Sequence, residues 1–213
     1  MKATAVLPVK RFAAAKLRLA EGIGAARRAE LAAAMLGDAL EAIAGARAIE
    51  RTIVVTAEPR AAELAKAAGA EALSDFADEG HSEAALAGIA AAEARGAGCV
   101  ALLPIDCPLL DPRELDRLLT GVPERYVAVV PDRHGTGTNA LALAPPSAIR
   151  PSFGEGSCAR HVAAARSAGI PFAVEELSSL ALDLDTPADI VALTRQLEKH
   201  PGRARRTAKA LGI

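Results

Sequence analysis

Hydrophobic and polar positions along the chain fall into two alternating rhythms. Residues 4–9 (TAVLPV), 51–57 (RTIVVTA), 100–103 with Ile105, and 126–131 (YVAVVP) are short, nearly continuous apolar runs. Runs of that length bounded by turn residues read as strands buried on both faces. Between them the spacing changes to that of helices. Residues 25–44 carry Leu31, Met35, Leu36, Leu40 and Ile43 on one face, and residues 58–68 end at Gly69, a left-handed cap. Ser82 reads as the N-cap of a helix reaching Arg95, and Pro112 opens another to about Leu119. Residues 71–75 form a short edge piece, whereas Gly22 and Gly24 break any helix in residues 11–24. Strands alternating with helices predict parallel βαβ units.

Beyond residue 131 the pattern becomes mixed. The turn DRHGTGT (132–138) leads into NALALA, an antiparallel strand, and the tight loop FGEGS (153–157) delivers a helix over 158–168. Residues 172–177 and 180–184 read as two further strands. Thr186 at N-cap, Pro187 at N1 and Asp189 at N3 then start a helix running to Lys199. The expectation is an α/β, Rossmann-like domain over 1–198, with a mostly parallel mixed sheet and helices on both faces. A basic tail, 199–213, follows it. The tail reads as a solvated face or a dimer contact rather than a nucleic-acid arm, which leaves a homodimer open.

Composition narrows the function. The 213 residues are 51% hydrophobic but include one Tyr, four Phe and no Trp, so no aromatic platform for single-stranded nucleic acid is available. A formal net charge of −1 gives no global field toward nucleic acid or membrane. No apolar run approaches a membrane span, and MKATAVLPVK is too short for a signal peptide, so a soluble, cytoplasmic protein is expected. Cys99, Cys107 and Cys158 lack disulfide or zinc spacing; Cys107 sits in a small apolar position with no base near it and reads as packing.

Two acidic positions stand out. Asp106 ends the run CVALLPID, where open α/β sheets bind ligands, although an Asp there can also cap a turn. In LDLDTPAD, Asp183 and Asp185 share a strand face; Asp185 can serve the helix cap, but Asp183 asks for a partner such as a cation. Two carboxylates converging from separate strands suit Mg²⁺, which keeps several waters and bridges phosphates. Phosphate handling is visible too. FGEGS places Ser157 at a helix N-terminus, with Arg160 and His161 on its first turn, and the loop can be an anion site or an ordinary Ser cap. His134–Thr138 offers a second cradle. Lys10, Lys16 and Arg18 follow the first strand, where a nucleotide's phosphates lie, or are simply solvated. No G-x-G-x-x-G, P-loop or G-x-S-x-G occurs, which disfavours a dinucleotide dehydrogenase, a P-loop NTPase and a serine hydrolase.

Taken in order, PVK, AKLRL, LLPIDCPLL, GTGTNAL, FGEGSCARH and DLDTPAD resemble the guanylyltransferases of coenzyme F-420 biosynthesis. That resemblance spans residues 4 to about 195 and implies a nucleotide-diphosphosugar-transferase-like fold. It also implies GTP and a small phosphorylated acid (phosphoenolpyruvate, 2-phospho-L-lactate or 3-phosphoglycerate) as substrates, with release of pyrophosphate. By the same likeness Asp106 and Asp183 hold Mg²⁺ and, with Lys16, carry catalysis. Thr138, Gly154, Ser157 and Arg160 bind the acid. Lys10, Lys16, Arg18, Gly80 and Ser82 meet the nucleotide, though Gly80-His81-Ser82 stands where the family commonly has G-L-N, which bears on the preference for GTP. The attacking phosphate is already an anion, so no Ser-His-Asp relay is required. Two other readings compete: a molybdenum-cofactor-type guanylyl- or cytidylyltransferase, and a non-catalytic nucleotide-binding subunit. The former carries a G-G-x-S-x-R-M-G type loop where this chain reads PVKRFAAAKLRLA.

Overall fold

A computed structural model describes residues 2–14, 19, 23–75 and 80–213. Seven strands form one sheet in the order β3-β2-β1-β4-β6-β5-β7. They are β1 (Ala3–Val9), β2 (Ile49–Thr56), β3 (Glu71–Ser74), β4 (Val100–Leu102), β5 (Tyr126–Pro131), β6 (Thr138–Ala144) and β7 (Phe172–Val174). β6 runs antiparallel to both β4 and β5, whereas the other neighbouring pairs are parallel. The mostly parallel mixed sheet expected from the apolar runs is therefore present.

Side-chain alternation divides the core between the two faces of this sheet. From β1, Ala5, Leu7 and Val9 enter one cluster and Val6 the other; from β6, Ala140, Ala142 and Ala144 take the first side and Leu141 and Leu143 the second. The first face is covered by α1 (Ala25–Ala44), which buries Leu31, Met35, Leu36, Leu40 and Ile43, with α4 (Pro112–Leu119) beside it. Asp111 caps α4 by accepting the Arg113 N–H, 2.9 Å. α2 (Pro59–Ala67) contributes Ala61 and Ala65 to that cluster.

The second face carries α3 (His81–Ala94) and α5 (Ser157–Ser167). α3 lies close on the sheet because Gly88 has no side chain; a Cβ there would stand 2.3 Å from Val6 Cγ1.

Two boundaries differ from expectation for one reason. The N-caps of α3 and α5 are Gly80 and Gly156, at φ +112° and +69°, not Ser82 or Ser157. The chain enters both helices through backbone conformations that a serine would adopt only under strain. Their hydroxyls are thereby released from capping.

A larger correction concerns residues 180–184, which are not a strand. A 3₁₀ turn, Ser178–Leu180, is followed by an extended, unladdered stretch. Leu180, Leu182 and Leu184 all bury into the first core cluster, which explains their two-residue rhythm. Their backbone partners lie elsewhere, however. The Asn139 side-chain amide donates to the Leu180 carbonyl, 2.6 Å, and the Leu184 N–H to the Asp106 carbonyl, 2.9 Å. Asp183 and Asp185 thus sit on a pinned loop rather than on one face of a strand.

That loop ends at α6 (Pro187–Lys199), where Thr186 and Asp189 form the capping box expected from TPAD. The basic tail holds α7 (Arg205–Leu211), and it docks on its own chain: Asp38 of α1 accepts from Thr207 N–H at 2.8 Å and Thr207 Oγ1 at 2.7 Å. Among the described residues no helix is long and apolar enough to cross a membrane.

Candidate active site

Strand order reverses between β1 and β4, since β2 and β3 continue to one side of β1 and β4 lies on the other. Ligands of open α/β sheets bind outside the carboxyl ends of strands at such a switch point. Lys10 emerges from β1 there, and Asp106 lies just beyond β4. His81, the first residue of α3, is half-buried beside both: burial lowers its pKa, Asp106 raises it and Lys10 lowers it. The start of the strand-one loop is anchored as well. Thr56 Oγ1 donates to the Val9 carbonyl, 2.8 Å, and Glu58 accepts from the Phe12 N–H, 3.0 Å. Lys16 and Arg18 lie outside the described residues.

Asp183 reaches the same place from the pinned loop. Burial raises its carboxyl pKa, its own N–H opposes this, and the charges of Asp106 and Asp185 push it higher still against Arg133. The two acids picked from separate segments therefore do share a field. The loop that carries Asp183 is pinned just after it by Asp189, whose Oδ2 accepts from Asp185 N–H, Thr186 N–H and Thr186 Oγ1 at 2.9, 2.6 and 2.9 Å. The other Asp189 oxygen pairs with Arg133 at 2.6 Å, tying the acid loop to the β5–β6 turn. Among the described residues no three His, Cys, Asp or Glu side chains converge into a metal-binding group. Asp106 and Asp183 offer two hard oxygen donors with like charges in partial burial, a donor set that fits a magnesium ion completed by water and phosphate oxygens.

The phosphate loops differ from their expected form. In DRHGTGT, Asp132 Oδ1 takes the His134 and Thr136 N–H groups at 3.1 and 3.0 Å, so these amides shape the turn instead of cradling an anion. What the turn delivers is Thr138, at the start of β6. In FGEGS, the Ser157 N–H donates to the Gly154 carbonyl and the Cys158 N–H to the Thr136 carbonyl, at 3.1 and 3.2 Å. Those two amides are spent. Ser157 Oγ remains: its residue is 1% exposed, and among the described residues this oxygen has no partner. A buried hydroxyl in that state calls for a ligand or water.

Gly154, at φ +108°, makes the loop turn possible. Arg160 braces the loop by donating to Ser152 Oγ and to the carbonyls of Ser152, Phe153 and Glu155. Its guanidinium is thus engaged with the loop it was expected to assist. Ser82 Oγ accepts the Phe153 N–H at 3.1 Å, which joins Gly80-His81-Ser82 to the same loop. The Phe153 ring stands edge-on to His81 and His161, at 4.8 and 5.4 Å between centroids.

Four residues at this site were missed or underused in the sequence. His81 registered only as a departure from G-L-N, His161 only as a neighbouring positive charge, and Arg133 not at all. Asp189 was read purely as a cap. His161 meets Thr138 across 23 positions, Arg133 meets Asp189 across 56 and His81 meets Phe153 across 72, distances that local spacing does not reveal. Cys107 is fully buried in the first core cluster, as packing required.

Acids gathered at the switch point and a buried serine hydroxyl at the start of α5 suit phosphate chemistry, and comparison with known proteins gives the family. The sequence profile of the family described as Guanylyl transferase CofC like matches residues 3–203. The chain belongs to that family. A phosphoenolpyruvate guanylyltransferase of Conexibacter woesei is 46% identical over 210 residues, covering 97% of this chain and 94% of its own length. A 3-phospho-D-glycerate guanylyltransferase of Phenylobacterium zucineum is 39% identical, with 91% and 90% of the two chains covered. Among solved structures, a Methanothermobacter nucleotidyl transferase superposes with a TM-score of 0.67 at 18% identity, covering 93% of this chain and 99% of its own. CMP:2-keto-3-deoxy-manno-octonic acid synthetase, complexed with CTP, gives 0.64 at 16% identity, with 94% and 100% covered. At such identities these two attest to the fold.

Proposed function

We propose that this guanylyltransferase joins the guanylyl group of GTP to the phosphate of a small phosphorylated carboxylic acid, with phosphoenolpyruvate as the first acceptor to test. The observation that carries the reading is the convergence of Asp106 and Asp183, within each other's field, beyond the strand ends at the switch point. A phosphate oxygen of the acid attacks the α-phosphorus of GTP. A new P–O bond forms, the bond from the α-phosphorus to the α,β-bridging oxygen breaks, and pyrophosphate leaves with that electron pair.

No proton has to be removed from the attacking group, so the residues here position and neutralise rather than act as acid or base. Lys10, with Lys16 and Arg18 of the same loop, supplies positive charge to the triphosphate. Gly80 and Ser82 face the nucleoside end. Thr138, the Gly154 loop and Ser157 receive the acid. Asp106 and Asp183 would hold Mg²⁺, which when bound screens the phosphate oxygens as charge redistributes. Coenzyme F-420 biosynthesis is the setting this family membership supports.

Pyrophosphate release, measured with phosphoenolpyruvate, 2-phospho-L-lactate and 3-phosphoglycerate crossed against GTP, CTP and ATP, with and without Mg²⁺, tests the reading. Acid-dependent release with GTP and Mg²⁺ is expected. Silence across that grid contradicts it, and GTP binding without release favours a binding subunit instead.

A further inference from the structure

His161 is fully buried on the first turns of α5 and joins the two segments that face the acceptor. Its Nε2 lies 2.8 Å from the Ser152 backbone nitrogen, and its Nδ1 lies 3.0 Å from Thr138 Oγ1. A neutral imidazole has one N–H and one lone pair. The Ser152 amide can only donate, so the lone pair is on Nε2 and the proton on Nδ1. Thr138 Oγ1 is therefore the acceptor of the Nδ1–H. With that lone pair engaged, the hydroxyl's own proton is directed away from the ring. The buried Oγ of Ser157, on the same helix and without a partner among the described residues, marks the polar ground nearby.

We infer that His161 is a positioning residue for the acceptor acid: its Nδ1–H turns the Thr138 hydroxyl so that Thr138 donates to an anionic oxygen of the acid. The inference rests on the functional reading above, which assigns Thr138 to the acceptor. Burial, with Arg160 adding to it, holds the ring's pKa down to about 4, so the neutral form persists at physiological pH. A protonated ring would present N–H to the Ser152 N–H and lose this arrangement.

A purely structural role, in which the ring fills the core and anchors the loop through Ser152, makes different predictions. Asn places an amide N–H near the Nδ1 position but cannot reach Ser152; Gln reaches toward Ser152 and abandons the Nδ1 position. Steady-state kinetics of His161→Asn, His161→Gln, His161→Leu, Thr138→Val and the Thr138→Val/His161→Leu double variant separate the two.

The expected result is that the KM for the acid stays within about threefold in His161→Asn and rises roughly tenfold or more in His161→Gln, His161→Leu and Thr138→Val, the size of a lost hydrogen bond to a charged group. The KM for GTP is unchanged, and His161→Leu adds nothing on top of Thr138→Val. Rescue by Gln but not Asn, or full additivity in the double variant, overturns the inference. The ¹⁵N shifts of His161 in the wild-type protein give a readout that depends neither on activity nor on a variant's folding. A neutral Nδ1–H ring at pH 7 supports it, and an Nε2–H ring overturns it. Wild-type protein inactive with every acid overturns the functional reading and the role of Thr138 with it; an active wild type with contrary variants overturns the His161 role alone.

Discussion

The two halves of the candidate site are built on opposite principles. On the side where β1 and β4 end, burial first and then the charges of Asp106 and Asp185 push Asp183 toward its protonated form. On the side of β6 and α5, the polar groups that shape the loops are matched within the chain: Asp132 with the turn amides, Arg160 with the loop carbonyls, His161 with Ser152 and Thr138. On the proposed reading, ligand charge completes the first side. The second is preorganised, and among the described residues the buried Ser157 Oγ there has no partner. An enzyme that must bring two polyanions together would gain from that division, with one substrate bringing its counter-ion to the acids and the other meeting preset donors.

Removing charge from the first side should have the largest effect. Asp183→Asn is expected to lower kcat/KM by about 10³-fold or more, as loss of charge stabilisation in the transition state does. Yet it should raise Tm in metal-free buffer at neutral pH. The sign follows from the raised pKa: the folded state binds the extra proton, so the strain is absent below the ordinary carboxylate value and grows as pH rises through the folded one. A lower Tm would mean that Asp183 is paired structurally.

Asp189→Ala tests whether the two sides depend on their latch. It removes the Arg133 pair at 2.6 Å and the side-chain half of the α6 capping box, while the residue-189 backbone N–H can still donate to Thr186. Roughly 10²-fold of activity should be lost through displacement of Asp183, with destabilisation of about 2–4 kcal/mol read from denaturant melts. Full activity with lowered stability would uncouple the latch from the site.

On the preorganised side, the low pKa of His161 carries a pH signature. Between the unfolded value of 6.5 and the folded value of about 4, the unfolded chain binds the proton and the native one does not. Stability is thus complete above 6.5 and is lost as pH falls toward 4, by up to roughly 3 kcal/mol. Urea melts from pH 7 to 4 should show this slope in wild type and a shallower one in His161→Asn.

The smallest effect belongs to the scaffold under both sides. Gly88→Ala must displace Val6 or α3, since the new Cβ would lie 2.3 Å from Val6 Cγ1, and should cost about 1–3 kcal/mol. Both substrate KM values should hold; a change in either would show that α3 couples to the site.

Which parts of this were legible in the sequence follows the same division. The helices at Ala25–Ala44, Pro112–Leu119 and Pro187–Lys199 and the strand Tyr126–Pro131 follow from local periodicity and caps, and their ends match the expectation. Asp106 and Asp183 were visible because acids at the ends of apolar runs are conspicuous. Residues 180–184 misled because an extended segment that buries every second leucine has a strand's rhythm without a ladder. The acceptor side was legible only as glycine-rich loops. Its order resides in side-chain to backbone bonds between distant segments, such as Asn139 to Leu180 and His161 to Ser152, and no local pattern encodes them.

What decides the reaction is the P–O–P bridge formed between the acceptor's phosphate and the guanylyl phosphorus. ³¹P NMR of a reaction containing the wild-type enzyme, GTP, phosphoenolpyruvate and Mg²⁺ reads it directly. Two mutually coupled diphosphate resonances should grow together with free pyrophosphate, and they should be absent with Asp183→Asn. Release of pyrophosphate with free GMP alone, or the same coupled pair forming at full rate in Asp183→Asn, would contradict it.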